Sequence, residues 1–186
     1  MASAGEGECF HVWFTPTPLP DGLWAACRSV EECEGLDVAR IARERPGAIV
    51  LLLNEPNNPD YSGGGWPVAP DVAARRLDKV ILRLRGAGLR GACCGLYVDK
   101  SDSLRAVDWW RAYASAGGKS DSRHYHIFGI TASDAAAARA RAERAMPAPY
   151  VISESGWNCA VSQYVQGIES PRYAAVFSLR SAGRCR

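Results

Sequence analysis

Apolar, β-rich runs alternate with helically periodic stretches along almost the whole chain. The strand-like runs are Phe10–Phe14, Ala48–Asn54, Gly91–Val98, His124–Ile130, Tyr150–Glu154 and Tyr173–Leu179. Ile49-Val50-Leu51-Leu52-Leu53 is continuously apolar, as a parallel strand buried on both faces requires. Between the runs, Leu77, Val80, Ile81 and Leu84 follow i, i+3, i+4, i+7 spacing, and Gly86 is a natural stop. Leu104, Val107 and Trp110 form a second stripe, with Ser101 to Ser103 as candidate caps and Gly117 as terminator. Thr131-Ala-Ser-Asp134 has capping-box form ahead of the Ala/Arg run Ala135–Ala145, which has high helix propensity and stops before Pro147. Val38 and Ile41 mark a shorter helix ahead of Pro46.

Strand and helix in regular alternation predict βαβ crossovers and a parallel sheet. No fixed-period repeat, low-complexity tract or linker interrupts the pattern, so residues 1–186 read as one domain. That length suffices for a sizeable core without disulfide staples. The longest irregular stretch after a strand is Asn57 to Pro67, with Gly63-Gly64-Gly65 inside it.

A formal net charge of +2 gives no field argument for nucleic acid or a membrane surface. Arg75, Arg76, Arg83 and Arg85 read as a solvated helix face. No window approaches the length of a membrane span. The start, Met1 to Glu8, has neither the basic nor the apolar stretch of a signal peptide. The expectation is therefore a cytoplasmic protein if that start is genuine, and a secreted one if the chain is a fragment. Seven cysteines, an odd number, form no CxxC pair and no zinc-type cluster. Structural thiols in a reducing compartment are the default; Cys27 and Cys33 could bridge in an oxidising one. No cofactor or metal is implied.

In parallel α/β architectures the chemistry sits at the C-terminal ends of the strands. Glu55 ends one apolar run, in Leu53-Asn54-Glu55-Pro56-Asn57. Glu154 ends another, in Tyr150-Val151-Ile152-Ser153-Glu154-Ser155-Gly156-Trp157. A carboxylate at the end of a buried strand is costly to desolvate unless something uses or satisfies it. One such glutamate is more often a cap or ion-pair partner; two, separated by two βα units, favour chemistry.

Asn54-Glu55-Pro56 resembles the Asn-Glu-Pro motif ending the fourth barrel strand of clan A glycoside hydrolases. Glu154-Ser155-Gly156-Trp157 is similar to the Glu-aromatic-Gly motif ending their seventh strand. Gly91–Val98 and His124–Ile130 then supply the fifth and sixth strands, and His126-Ile127-Phe128 resembles the family's sixth-strand His-x-aromatic pattern. The resemblance implies a retaining glycosidase on a TIM-type (β/α) barrel. Glu55 would be the general acid/base, Glu154 the nucleophile, and Asn54 a hydrogen-bond partner of the sugar 2-hydroxyl. The pattern departs from the family in having one strand, not three, before the Asn-Glu-Pro strand. Ser153 and Ser155 also replace the threonine and aromatic beside the nucleophile. The expected fold is thus an incomplete barrel of about six parallel strands, whose open edges promote self-association.

Such chemistry needs one carboxyl that protonates the leaving oxygen and a second that attacks the anomeric carbon, about 5–5.5 Å away. Trp66 and Trp157 lie in strand-end loops and are candidate walls for stacking an oligo- or polysaccharide, although loop packing explains Trp66 equally well. Trp109 and Trp110 read as helix packing. His124 and His126 share a strand face by period-2 alternation and read either as sugar contacts or as hydrogen-bonded interior residues. His124-x-His126 is also similar to the His-x-His of metal-dependent barrel hydrolases, but no histidine follows position 126 to complete a site. No P-loop and no G-x-S-x-G elbow is present. The alternative function is a catalytically silent truncated barrel that binds carbohydrate or is purely structural.

Overall fold

The computed structural model describes residues 23–59, 66–98, 103–128, 132–146, 150–156 and 173–176. They alternate as β1 (Leu23–Cys27), α1 (Val30–Glu34), α2 (Val38–Glu44), β2 (Ile49–Leu52), α3 (Pro70–Gly86) and β3 (Arg90–Val98). α4 (Ser103–Ser115), β4 (Ser122–Phe128), α5 (Ala132–Ala145), β5 (Tyr150–Gly156) and β6 (Tyr173–Val176) follow. The strands form one sheet in the order β1-β2-β3-β4-β5-β6, and each adjacent pair is parallel. The chain is therefore mixed α/β on a parallel sheet, and among the described residues the strand order shows no reversal of the kind that marks a doubly wound fold.

The first described strand is one the sequence pattern does not mark. Leu23–Cys27 carries no strand signal in the sequence, whereas Phe10–Phe14, which does, lies outside the described residues. So do Thr131 and Ser101, of the expected caps. α3 begins seven residues before its apolar stripe, with Pro70 at its first turn, where a missing N–H costs nothing. The small Ala73 and Ala74 extend its buried face.

The two faces of the sheet differ. Val50, Leu52, Tyr125 and Ile127 belong to one apolar cluster with helix residues such as Leu77, Ile81, Leu84 and Tyr113. Gly91 faces α3 closely, since a Cβ there would run into Ile81. Alternation sends Leu51, Ala92, His124 and His126 to the other face, and Leu51 and Ala92 are register partners there. These residues are buried as well.

The arginines of α3 lie on a solvent-facing side, as their spacing predicts, and three of them also reach neighbouring segments. Arg76 pairs with Glu31 and Glu34 of α1, and Arg83 donates to the Glu34 and Leu36 carbonyls at 2.8 and 2.6 Å. Arg85 pairs with Asp121 ahead of β4 at 2.7 Å. Cys27 and Cys33 form a disulfide joining the end of β1 to α1, in place of the free thiols expected by default. Among the described residues no helix is long and apolar enough to cross a membrane.

Candidate active site

The chain leaves β2 through a strained turn. Leu53 and Glu55 both have positive φ, 61° and 46°. Non-glycine residues avoid that region, and a bulky one held there marks a place where surrounding contacts impose the shape. The imposing contacts are visible. The Glu55 N–H donates to the Gly95 carbonyl of β3 at 2.8 Å, and the Asn54 N–H donates to the Arg28 carbonyl beyond β1 at 3.1 Å. Gly95 itself has φ +55°, and a Cβ there would collide with the Leu53 carbonyl and approach His124. Only glycine fits at 95.

Asn57 extends this clamp. Its Nδ2 donates to the Tyr97 carbonyl and its Oδ1 accepts the Tyr97 N–H, both at 2.8 Å. One side chain thus supplies the pair of bonds that β2 would give β3 had the strand continued. The loop returns to the strand end where the Trp66 N–H meets the Asn54 carbonyl and the Val68 N–H meets the Pro56 carbonyl, at 3.2 and 3.1 Å. Trp109 of α4 donates its indole N–H to the Val68 carbonyl at 3.0 Å, which anchors the returning strand.

Glu55 is only 4% exposed. Its Oε1 lies 3.0 Å from Nδ1 of His126, and its Oε2 accepts from Nδ2 of Asn58 at 2.8 Å. His126 stands on β4, two strands away, so Glu55 reaches across the end of β3. His124 is wholly buried beside it, with ring centroids 5.2 Å apart. Burial first, and His126 second, hold the His124 imidazole well below the ordinary histidine range, so it is neutral at pH 7.

The remaining sequence candidates fall as follows. Asn54 is buried next to Glu55. Trp66 is 38% exposed beside the same strand end, with the Arg28 guanidinium 5.4 Å from its ring centroid. Trp109 and Trp110 pack in the core, as expected. The backbone of Glu154 is the register partner of His126, and β5 lies three strands beyond β2, as the motif spacing requires. Its side chain, that of Phe128, and all of Trp157 lie outside the described residues. Asn58 was not foreseen; its only sequence signal is its place as fourth residue of a Glu-Pro-Asn-Asn turn.

A cavity of about 520 Å³ lies at the opposite end of the sheet, lined by Arg85, Arg111, Lys119, Arg123 and Trp110. α3, α4 and α5 end there, and cations complement the negative ends of helix dipoles. Arg85, Lys119 and Arg111 are paired with Asp121, Asp78 and Asp108. Those ion pairs, and the Trp110 ring under the Arg123 guanidinium, account for the basic lining. At the C-terminal edge the buried Glu55 carboxyl is held instead by His126 and Asn58.

No protein-family profile matches the chain. No curated protein matches it either. Among solved structures it is similar to a GH128 (subgroup VI) exo-beta-1,3-glucanase from Aureobasidium namibiae, with a TM-score of 0.60 and 14% identity over 86% of this chain. The chain spans 66% of that protein's length. At this identity the likeness is one of fold.

Proposed function

We propose that the chain is a glycoside hydrolase that cleaves O-glycosidic bonds with retention, using Glu55 as acid/base and Glu154 as nucleophile. The observation that carries the reading is Glu55 itself. A carboxyl is buried at a strand's C-terminal end, at positive φ, with one oxygen on His126 and the other on Asn58. Burial and backbone strain each cost free energy, and both persist where a function depends on them. Likeness of fold to a β-1,3-glucanase agrees, and makes β-1,3-linked glucan the first substrate to try.

The reading also requires curvature. In a flat sheet β2 and β5 stand three spacings, or about 14 Å, apart. Retention needs the two carboxyls at about 5–5.5 Å. The sheet must therefore curl into a TIM-type barrel, incomplete with the six strands of the described residues, with its helix-free face inside. Burial of Leu51, Ala92, His124 and His126 on that face supports this. Trp66 and Trp157 would then wall the sugar subsites, Asn54 would bond the 2-hydroxyl, and His124 and His126 would line the floor.

In the first step Glu55 protonates the departing oxygen while Glu154 attacks the anomeric carbon. In the second, Glu55 takes a proton from the water that releases the glycosyl group. Proton NMR of laminari-oligosaccharide hydrolysis tests the reading. The first product should have the substrate's anomeric configuration, and Glu154→Gln should abolish turnover of every substrate. An inverted first product would overturn it. Because the chain spans only part of the glucanase it resembles, a silent carbohydrate-binding domain is the second reading; binding of the oligosaccharides without turnover would favour it.

A further inference from the structure

We propose that Asn58 is a positioning residue that confines the acid proton of Glu55 to a single oxygen, Oε1. The inference rests on the reading of Glu55 as acid/base. Pro56 fixes the second position of the turn in which the Asn58 N–H donates to the Glu55 carbonyl at 2.9 Å. That turn brings the Asn58 side chain back onto Oε2 at 2.8 Å.

The two carboxyl oxygens therefore face partners of different chemistry. An amide nitrogen only donates. Oε2 must accept from it whether Glu55 is ionised or not, and a carbonyl oxygen accepts better than a hydroxyl one. Oε1 faces an imidazole nitrogen, which accepts from O–H when unprotonated and donates to a carboxylate when protonated. The His126 side of Glu55 accommodates both states, and the Asn58 side favours one. Among the described residues, the groups beside it include the Gly95 carbonyl on the Glu55 N–H and the neutral His124 packed on His126; on the proposed reading the Glu154 carboxyl faces it as well.

A mechanistic consequence follows for both half-reactions. In glycosylation the O–H on Oε1 turns from Nδ1 of His126 to the leaving oxygen, and the Oε1–H bond breaks as that oxygen gains the proton and its bond to the anomeric carbon breaks. In deglycosylation a water O–H bond breaks, its proton returns to Oε1, and the water oxygen bonds the anomeric carbon as the nucleophile leaves. One oxygen gives and receives, so the carboxyl need not rotate between steps. Water must enter along the path the aglycone left.

Two measurements test this. In the wild-type chain, nitrogen-15 NMR across the titration of Glu55 should show the Asn58 side-chain amide hydrogen-bonded throughout while the His126 Nδ1 resonance moves. An Asn58 amide that shifts to a solvent-like position on protonation, with Nδ1 unmoved, would put the proton on Oε2 and overturn the proposal. In Asn58→Asp, kcat on unactivated glucan should fall roughly tenfold or more with little change in KM, and far less on dinitrophenyl glycosides. Equal losses on both substrate classes would make Asn58 merely structural. Absence of turnover in the wild type would defeat the glycosidase reading, and the NMR titration would still decide which oxygen holds the proton.

Discussion

His124 and Gly95 show how single residues hold the strand ends in place. His124 is fully buried and kept neutral, foremost by burial and then by His126. In the unfolded chain a histidine takes up a proton near pH 6.5. Below that pH the unfolded state binds a proton the folded state refuses, so stability is full above it and falls as pH falls, by up to about 1.4 kcal/mol per unit. Urea unfolding at pH 7.5 and 5.5 should show this loss, and His124→Leu should flatten it; an unchanged slope in the variant would contradict the assignment. Gly95→Ala should cost about 2 kcal/mol or more, read by thermal unfolding, because its Cβ meets the Leu53 carbonyl. It should also disturb Glu55, whose N–H rests on the Gly95 carbonyl. The placing of Glu55 at a strand end and of His124 and His126 on one strand face was legible at this scale from the apolar run and the period-2 alternation. The positive φ at Leu53 and Glu55 was not, because it is imposed by contacts from β1 and β3 that no local pattern encodes.

Among the elements, the sequence pattern marks most of those described, the short α2, β2 and β6 included, and does not mark β1 and α1. α3 and α4 present stripes of several turns, and β2 is a run no helix of that length would need. β1 reads Leu-Trp-Ala-Ala-Cys, with no β-branched residue and no alternation. α1 has five residues, too few to show a period, and is held instead by Ser29 at its N-cap, the Cys27–Cys33 bond and the arginines of α3. A side-chain hydrogen bond across six residues is one of the contacts that hold the α4–β4 connection. Tyr113 donates its hydroxyl to the Lys119 carbonyl at 2.6 Å, and its ring covers Gly118, where a Cβ would collide with it. Burial pushes the phenol well above the ordinary tyrosine range, so it stays a donor at every working pH. Tyr113→Phe should cost about 1 kcal/mol in chemical denaturation. No measurable loss would mean that the 116–119 turn is held by its backbone alone.

For the whole molecule, the strand order follows the sequence order because each βα unit lays its strand beside the last. Curvature is the part that periodicity does not carry, since a curled and an open sheet have the same alternation. Six strands whose first and last do not pair would expose two edges, and exposed edges recruit other chains. Light scattering with gel filtration should therefore show concentration-dependent self-association; a monomer at all concentrations would mean the edges are covered. The central claim, that two glutamates from β2 and β5 share one anomeric carbon, is tested most directly by azide rescue. Glu154→Ala with azide should yield a glycosyl azide of inverted configuration, and Glu55→Ala one of retained configuration. The opposite pairing, or no azide adduct from either variant of an active parent, would contradict the account.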